Sequence, residues 1–375
     1  MADTVTGLEL RSKVTSAGKL ELSLEPVTLE APGDDEVIVR VQAAPINPSD
    51  LGLLIGPADV ASMVAGGTAD RPTLTLDVPA ERMGMLKARI DQSLPVGNEG
   101  AGEVIAAGAN VTDLLGKTVG MLGGAMYTQV RKLPAKDCVP LKDGQTAADG
   151  ASMFVNPLTA LGFVETMRME GHTAIVHTAA ASNLGQMLNR ICIADGVPLV
   201  NVVRSAEQAD ILRAIGATHI VDSTAPDFRD ALTDAIAETV ATIAFDAIGG
   251  GKLGGQILGA MEAAASRSAA EYSRYGSTTF KQLYIYGALD TGPTVLNRNF
   301  GFSWAVSGWL LTPFMGKAGR EVVGRMRGRV VDELTTTFAS NYTRTIGLAE
   351  ALNPDVLAAY NRKATGEKYL IDPSR

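Results

Sequence analysis

The chain has 375 residues, 46% of them apolar and 20% charged, and a formal charge of −8. This length is long for one hydrophobic core and suits two domains. The balance excludes a disordered chain, and the acidic charge argues against nucleic-acid binding through phosphates.

Residues 1–10 are polar and hold no apolar signal core, and the stretch Phe302–Met315 is too short and too broken, by Pro313, to span a bilayer. Cys138 and Cys192 alone make neither a disulfide framework nor a Cys-rich zinc site. A cytoplasmic protein with no membrane or nucleic-acid partner is expected. The first 150 residues read as β-rich. Glu36–Val41 alternates polar and apolar after the turn cluster Pro32-Gly33-Asp34-Asp35. Short apolar runs at Gly102–Ile105 and Thr118–Met121 follow, separated by glycines, which predicts a barrel-like or sandwich module.

From residue 151 the pattern changes to alternating strands and helices. Thr173–Thr178 suits a buried parallel strand, and Leu184, Met187, Leu188 and Ile191 then recur at helical spacing. Pro198–Val203, His219–Val221, Thr242–Phe245 and Gln282–Leu289 read as further strands. Helices are marked by Ile211 to Ile215, Phe228 to Ile236, and Ile257 to Met261. This alternation predicts right-handed βαβ units and a Rossmann-type, doubly wound parallel sheet, an α/β fold. The tail adds an apolar run after residue 300, a helix around Gly319–Val330 and a last strand over Glu367–Ile371. The polar stretch Ala264–Lys281 suggests no function.

The first strand–helix turn of the α/β part reads Thr178-Ala179-Ala180-Ala181-Ser182-Asn183-Leu184-Gly185. Here a dinucleotide fold places its phosphates, on free amides and a helix dipole. The glycine places of G-x-G-x-x-G hold Ala180, Ser182 and Gly185, so only the glycine needed for close helix–strand packing remains. Ala181, Ser182, Asn183, Leu184 and Gly185 are the candidate phosphate-binding residues; an ordinary turn is the alternative. The second strand ends Val202-Val203-Arg204-Ser205. An acidic residue there would bind ribose hydroxyls, whereas an arginine suits a 2′-phosphate, so Arg204 and Ser205 point to NADPH. Otherwise Arg204 is a solvated strand-end residue. Glu207 and Asp210 complement the dipole of the following helix.

Five segments together resemble the medium-chain dehydrogenase/reductase superfamily, in its zinc-independent quinone oxidoreductase-like branch. They are Ile46–Asp50, Pro95–Val104, Asn156–Ala160, Gly216–His219 and Phe245–Gly250. The resemblance implies a GroES-like β-barrel catalytic domain from residues 1–155 and 297–375, with a Rossmann dinucleotide-binding domain at 156–296 inserted between them. Zinc-dependent relatives carry a Cys in the first segment and a His beside the Glu of the second. Here Asn47 to Asp50 hold no Cys and Asn98 replaces the His, while His172, His177 and His219 all fall in the nucleotide domain. No catalytic zinc is implied.

By the same resemblance Thr159 lies near the nicotinamide, Ala247, Ile248 and Gly249 face the cofactor, and Gly287 and Ala288 end the fifth strand beside it. Asn47 and Tyr127 face the nicotinamide from the barrel side. The alternative readings are a turn residue before Pro48 for Asn47 and a buried aromatic with a satisfied hydroxyl for Tyr127. Tyr127 and Asp50 are candidate proton donors by position. The implied activity is NADPH-dependent hydride transfer to a quinone or other conjugated carbonyl. Enoyl thioester reduction competes with it, but those relatives carry a Tyr where this chain reads Leu51 to Ala58 without one. A non-catalytic nucleotide-binding or structural role is the rival of another class. The long segment Ala58–Leu94, with Arg71, Arg82, Lys87 and Arg89, reads as a helical flap for an anionic substrate or as a solvated insertion. The run around Phe302–Leu311 suggests an edge strand pairing across a twofold axis, hence a homodimer.

Overall fold

The structure, a computed structural model, describes residues 4–267, 271 and 273–375 and divides the chain into two units. One comprises the chain up to Val155 together with Glu333–Arg375; the other is Asn156–Asp332.

The first unit opens with β1 (Val5–Val14), β2 (Lys19–Leu29) and β3 (Glu36–Pro45), followed by the short helix α1 (Pro48–Leu54). Strands β4 (Asp59–Gly67) and β5 (Pro72–Asp77) form a hairpin whose second strand pairs antiparallel with β2. A 3-10 helix over Ala80–Arg89 leads to β6 (Ser93–Pro95). The segment 58–94 is therefore not a helical flap. Thr73-Leu74-Thr75-Leu76 alternates with period two, and Leu74 and Leu76 are buried, which only a strand permits. Arg89 is a structural tie: its Nη1 donates to the Leu53 carbonyl (3.2 Å) and its Nη2 to Ser12 Oγ (3.0 Å). Arg71, Arg82 and Lys87 are exposed. The chain continues through β7 (Glu99–Ala107), β8 (Thr118–Leu122), β9 (Val130–Pro134), β10 (Cys138–Pro140) and α2 (Ala147–Gly150).

The second unit alternates as expected: α3 (Val155–Met169), β11 (Ile175–His177), α4 (Asn183–Asp195), β12 (Leu199–Val203), α5 (Ala206–Ala214), β13 (His219–Asp222), α6 (Phe228–Thr239) and β14 (Ile243–Asp246). After β15 (Gly249–Gly251) and α7 (Leu253–Arg267) come β16 (Lys281–Ile285), β17 (Asp290–Thr294), β18 (Trp304–Gly308) and α8 (Leu311–Asp332). Among the described residues the main sheet has the order β13-β12-β11-β14-β16-β18, every pair parallel. This is the doubly wound arrangement, whose order reverses between β11 and β14. Helices cover both faces, so its strands are continuous apolar runs: Val176, Val200, Val202, Ala244 and Leu283 are at most 2% exposed.

Residues 297–332 correct the expected domain boundary. Trp304–Gly308 pairs residue for residue with β16, from Lys281↔Trp304 to Ile285↔Gly308, and so completes the parallel sheet. Motif order along a chain does not report which neighbour a strand pairs with, so the sequence ended this unit too early.

The chain then returns to the first unit with β19 (Arg344–Ile346), α9 (Pro354–Asn361) and β20 (Tyr369–Ile371). Strand β20 pairs antiparallel with β3 through Leu370↔Pro45 and Ile371↔Ala44. The sheets β4-β5-β2-β1-β6 and β10-β8-β7-β3-β20-β19, the latter with β9 on β3, enclose one core that includes Leu10, Leu22, Val39, Met121, Tyr127, Leu357 and Ile371.

The polar stretch 264–281, of which residues 268–270 and 272 lie outside the described residues, ends on a buried ion pair. Lys281 Nζ lies 2.6 Å from Glu262 Oε2 and also donates to the Thr279 carbonyl (2.7 Å). The Lys281 side chain is fully buried, so removing its partner leaves an uncompensated charge in the core. Glu262→Gln is expected to destabilise the chain by about 3–5 kcal/mol in urea unfolding; a loss under about 1 kcal/mol would show the pair to be solvated.

Candidate functional site

In the second unit the candidate cofactor residues gather at the carboxyl edge of the sheet, where the strand order reverses. Strand β11 ends at His177, and Thr178 ties it to β14: its Oγ1 donates to Asp246 Oδ1 (2.6 Å) and accepts from the Ala247 amide (2.8 Å). Ala179 takes a left-handed conformation (φ 50°), turning the chain into α4. Ser182 is the N-cap of α4, and its Oγ accepts from the Gly185 amide at 3.2 Å. The serine thus uses its oxygen as a cap while its hydroxyl proton stays available to an anion. The first amides of a helix have no acceptor within it, so the amide of Leu184 points a donor along the dipole at this end. A Cβ at Gly185 would lie 2.1 Å from the Ala180 carbonyl oxygen, so the one retained glycine is the one that packing requires. Ala181 is buried against Val203, Ala209 and Leu212 and contributes backbone only.

At the end of β12, Arg204 is exposed and its amide donates to Gln208 Oε1 (3.0 Å). Ser205 caps α5, its Oγ accepting from the Gln208 amide (3.3 Å). Helix capping therefore accounts for Ser205, while the guanidinium beside it is the group suited to a phosphate. This donor set, a capped helix N-terminus and a strand-end arginine, fits the pyrophosphate and 2′-phosphate of NADPH.

The third wall follows β14. The Asp246 carboxylate accepts from the Ile248 amide and, through its other oxygen, from the Gly249 amide, each at 3.0 Å. Leu289 donates to the Ala247 carbonyl (3.1 Å) and Asp290 to that of Ile248 (2.9 Å), joining this loop to the one after β16. A Cβ at Gly287 would meet the Ala247 oxygen at 2.6 Å, so glycine is required for that approach; the neighbouring Ala288 is exposed. Thr159 is buried on α3.

The first unit holds Asn47, Tyr127 and Asp50 in a buried polar network. Asn47 begins α1 and is 2% exposed. Its amide proton goes to Asp50 Oδ2 (2.8 Å), its Nδ2 donates to Glu99 Oε1 (2.8 Å), and its Oδ1 has no partner. Asp50 also accepts from the Asn98 amide (2.8 Å). Its carboxyl is pushed up to about 7, by burial first and also by the Glu99 charge. Glu99 Oε2 accepts from the amides of Phe154 (2.8 Å) and Val155 (2.9 Å). Burial raises the Glu99 carboxyl, and Lys368 opposes that rise. Lys368 donates to Ser152 Oγ (2.7 Å), and burial lowers its ammonium to about 8. Tyr127 is wholly buried and its hydroxyl donates to the Pro45 carbonyl (3.0 Å), as in a core aromatic with a satisfied hydroxyl.

The sequence reading missed Glu99 and Lys368 as network members. Glu99 stood inside a quoted segment, but Lys368 was visible only as one residue of a terminal strand. Among the described residues, no group of three or more His, Cys, Asp or Glu is arranged to hold a metal ion.

No family model matches the chain. It is 31% identical over 210 residues to a mitochondrial enoyl-[acyl-carrier-protein] reductase of Xenopus tropicalis, a match covering 53% of this chain and 51% of that protein. The chain thus spans about half the length of the curated relatives it matches. A structure from Mesorhizobium loti, provisionally assigned as an NADPH:quinone reductase, superposes with a TM-score of 0.72 at 26% identity, covering 100% of this chain and 99% of that one. An Escherichia coli quinone oxidoreductase complexed with NADPH gives 0.66 at 18% identity, covering 98% and 100%, and shows the shared fold.

The Asp50 carboxyl makes a checkable contribution to stability. Its folded-state value of about 7 exceeds the ordinary 3.8, so the folded chain binds the extra proton between those values. That contribution is complete below about pH 4 and is lost as pH rises through 7. Relative to Asp50→Asn, the unaltered chain is expected to lose up to about 4 kcal/mol between pH 4 and 8 in denaturant titrations. Parallel stability curves for the two proteins would count against it.

Proposed function

We propose that the chain, which by sequence and fold goes with the medium-chain dehydrogenases/reductases, is an NADPH-dependent oxidoreductase that reduces a quinone or another conjugated carbonyl without zinc, in the cytoplasm. The observation that carries this reading is the pairing of the α4 N-terminus with Arg204 at the carboxyl ends of the neighbouring strands β11 and β12, beside the switch point. Similarity to a structure assigned as an NADPH:quinone reductase and to one complexed with NADPH supports it.

In this reading the amides at the start of α4 and the Ser182 hydroxyl hold the pyrophosphate, and Arg204 takes the 2′-phosphate. Residues 247–249, braced by Asp246, and Gly287 with Ala288 shape the wall along which the nicotinamide lies. Bound NADPH supplies the hydride. Residues 47–50 hold no Cys and Asn98 stands where zinc-dependent relatives keep a His, so no cationic Lewis acid is expected to polarise the acceptor. That favours substrates already activated by conjugation. Asn47, with its unpaired Oδ1, is the first unit's candidate for contacting a ligand donor. Tyr127, whose hydroxyl donates to the Pro45 carbonyl and lies beside the Asp50 carboxyl, remains the other first-unit candidate.

The similarity to a mitochondrial enoyl reductase keeps enoyl thioester reduction as the second reading, against which stands the lack of a Tyr between Leu51 and Ala58. Strand β18 lies at the edge of the main sheet, flanked by exposed Phe302 and Leu310, and we assign it to pairing with a second copy. Sedimentation at micromolar concentration should give a dimer; a monomer throughout would defeat that assignment.

Arg204→Ala is expected to weaken NADPH binding by about 1.5–3 kcal/mol and to leave NADH unchanged. An equal loss for both nucleotides would remove the 2′-phosphate assignment. Turnover of NADPH with quinones, enones and enoyl thioesters separates the substrate classes. Tight NADPH binding with no turnover of any of them would favour a non-catalytic role.

A further inference from the structure

Two loop roots at the edge of the sheet are joined by a hydrogen bond that the nucleotide motifs do not explain. His177 is the last residue of β11, directly before Thr178 and the phosphate loop, and it is fully buried. Tyr286 is the first residue past β16, directly before Gly287 and Ala288. His177 Nε2 lies 2.8 Å from the Tyr286 hydroxyl, and the rings stack at 5.8 Å and 16°.

Strand β14 runs between the two. His177 faces Phe245 in register, Phe245 faces Tyr284, and the Tyr286 amide donates to the Asp246 carbonyl (3.0 Å). The side-chain bond therefore bridges over β14, from the strand that feeds the phosphate loop to the strand that feeds residues 287–288. Phe163 of α3 caps the group, 4.0 Å from the Phe245 ring and edge-on to Tyr286 at 4.7 Å. Thr159 lies one turn earlier on the same helix.

The chemistry at 177 is costly for a purely structural filler. Nδ1 of His177 has no hydrogen-bond partner, and a buried unpaired polar atom destabilises a core. Phenylalanine would pack in the same aromatic group without that penalty. What the imidazole adds is the bond to Tyr286. Burial lowers its pKa to about 3, so it is neutral, and the bond persists across the working pH range.

We propose that His177 and Tyr286 form a latch of two positioning residues, which holds the Gly287–Ala288 wall in register with the phosphate loop and so sets affinity for the nicotinamide half of the nucleotide. The inference rests on the NADPH reading above. It differs from it in predicting that the two halves of the nucleotide respond separately.

The test compares NADPH with adenosine 2′,5′-bisphosphate, which carries the 2′-phosphate but lacks the nicotinamide. Dissociation constants are measured by calorimetry on the full-length protein. Tyr286→Phe keeps the ring and removes one hydroxyl; it should weaken NADPH roughly three- to tenfold and leave the bisphosphate unchanged. His177→Phe should do the same, and the double variant should be no weaker than the poorer single one, because both break one bond. His177→Gln, which can place an amide near the Nε2 position, should recover most of the affinity. Equal weakening of both ligands, or a lowered melting temperature with both affinities intact, overturns the latch while leaving the cofactor reading standing. Binding of neither ligand by the unaltered protein overturns both.

Discussion

One buried carboxylate organises the nucleotide edge of this chain. Asp246 ends β14, is 1% exposed, and satisfies three donors from two segments: the Thr178 hydroxyl and the amides of Ile248 and Gly249. Hydrogen bonds to a carboxylate are short and strong, and removing their acceptor would leave buried amides unpaired. The phosphate loop and the loop after β14 are therefore fixed to one another before any ligand arrives. The loop after β16 is then added through the carbonyls of Ala247 and Ile248. The carboxylate thus fixes the start of the phosphate loop at Thr178 and the loop at 248–249 directly, and the segment at 287–290 at one remove.

The first unit solves a different problem with the same kind of group. Asp50 and Glu99 are both buried carboxyls, held apart in role by what surrounds them. Glu99 takes two main-chain amides and one side-chain amide and feels the Lys368 charge, which oppose without cancelling the upward push of burial on its carboxyl. Asp50 takes two main-chain amides, and burial first, with the Glu99 charge added, pushes its carboxyl up to about 7. The network also dictates which way the Asn47 amide points: Nδ2 is given to Glu99, which leaves Oδ1 turned to the start of α1.

Much of this was legible in the sequence, and the reasons for the gaps are physical. The order of strands and helices from 175 to 285 was readable because parallel strands buried on both faces are uninterrupted apolar runs and their helices keep a 3.6-residue stripe. Arg204 was readable because its place is fixed by the end of a strand. By contrast, β18 sits at an edge and looks like any apolar run, so its pairing with β16 and the boundary at residue 332 could not be inferred. The hairpin at 59–77 went unread as strands, the segment being left as a helical flap or a solvated insertion, because its length and charges drew attention away from the alternation of Leu74 and Leu76. Lys368, His177 and Tyr286 act through partners more than 100 positions away, and no local pattern reports such a meeting.

The altered glycine fingerprint shows which parts of a phosphate loop are geometry and which are habit. At the third place a side chain is impossible, because a Cβ on Gly185 would overlap the Ala180 carbonyl, and glycine is kept. At the second place Ser182 puts its side chain back on its own helix as a cap, so the added atoms need not crowd an approaching phosphate. At the first, Ala180 is buried, and the left-handed turn falls one residue earlier, on Ala179. A non-glycine residue there carries strain of about 1–2 kcal/mol, a cost that the Thr178–Asp246 bond and the donor from Ala247 to Thr178 are placed to offset. Two glycine places are thus filled by residues whose side chains find room or a cap, beside a strand end that the Thr178–Asp246 bond holds in place.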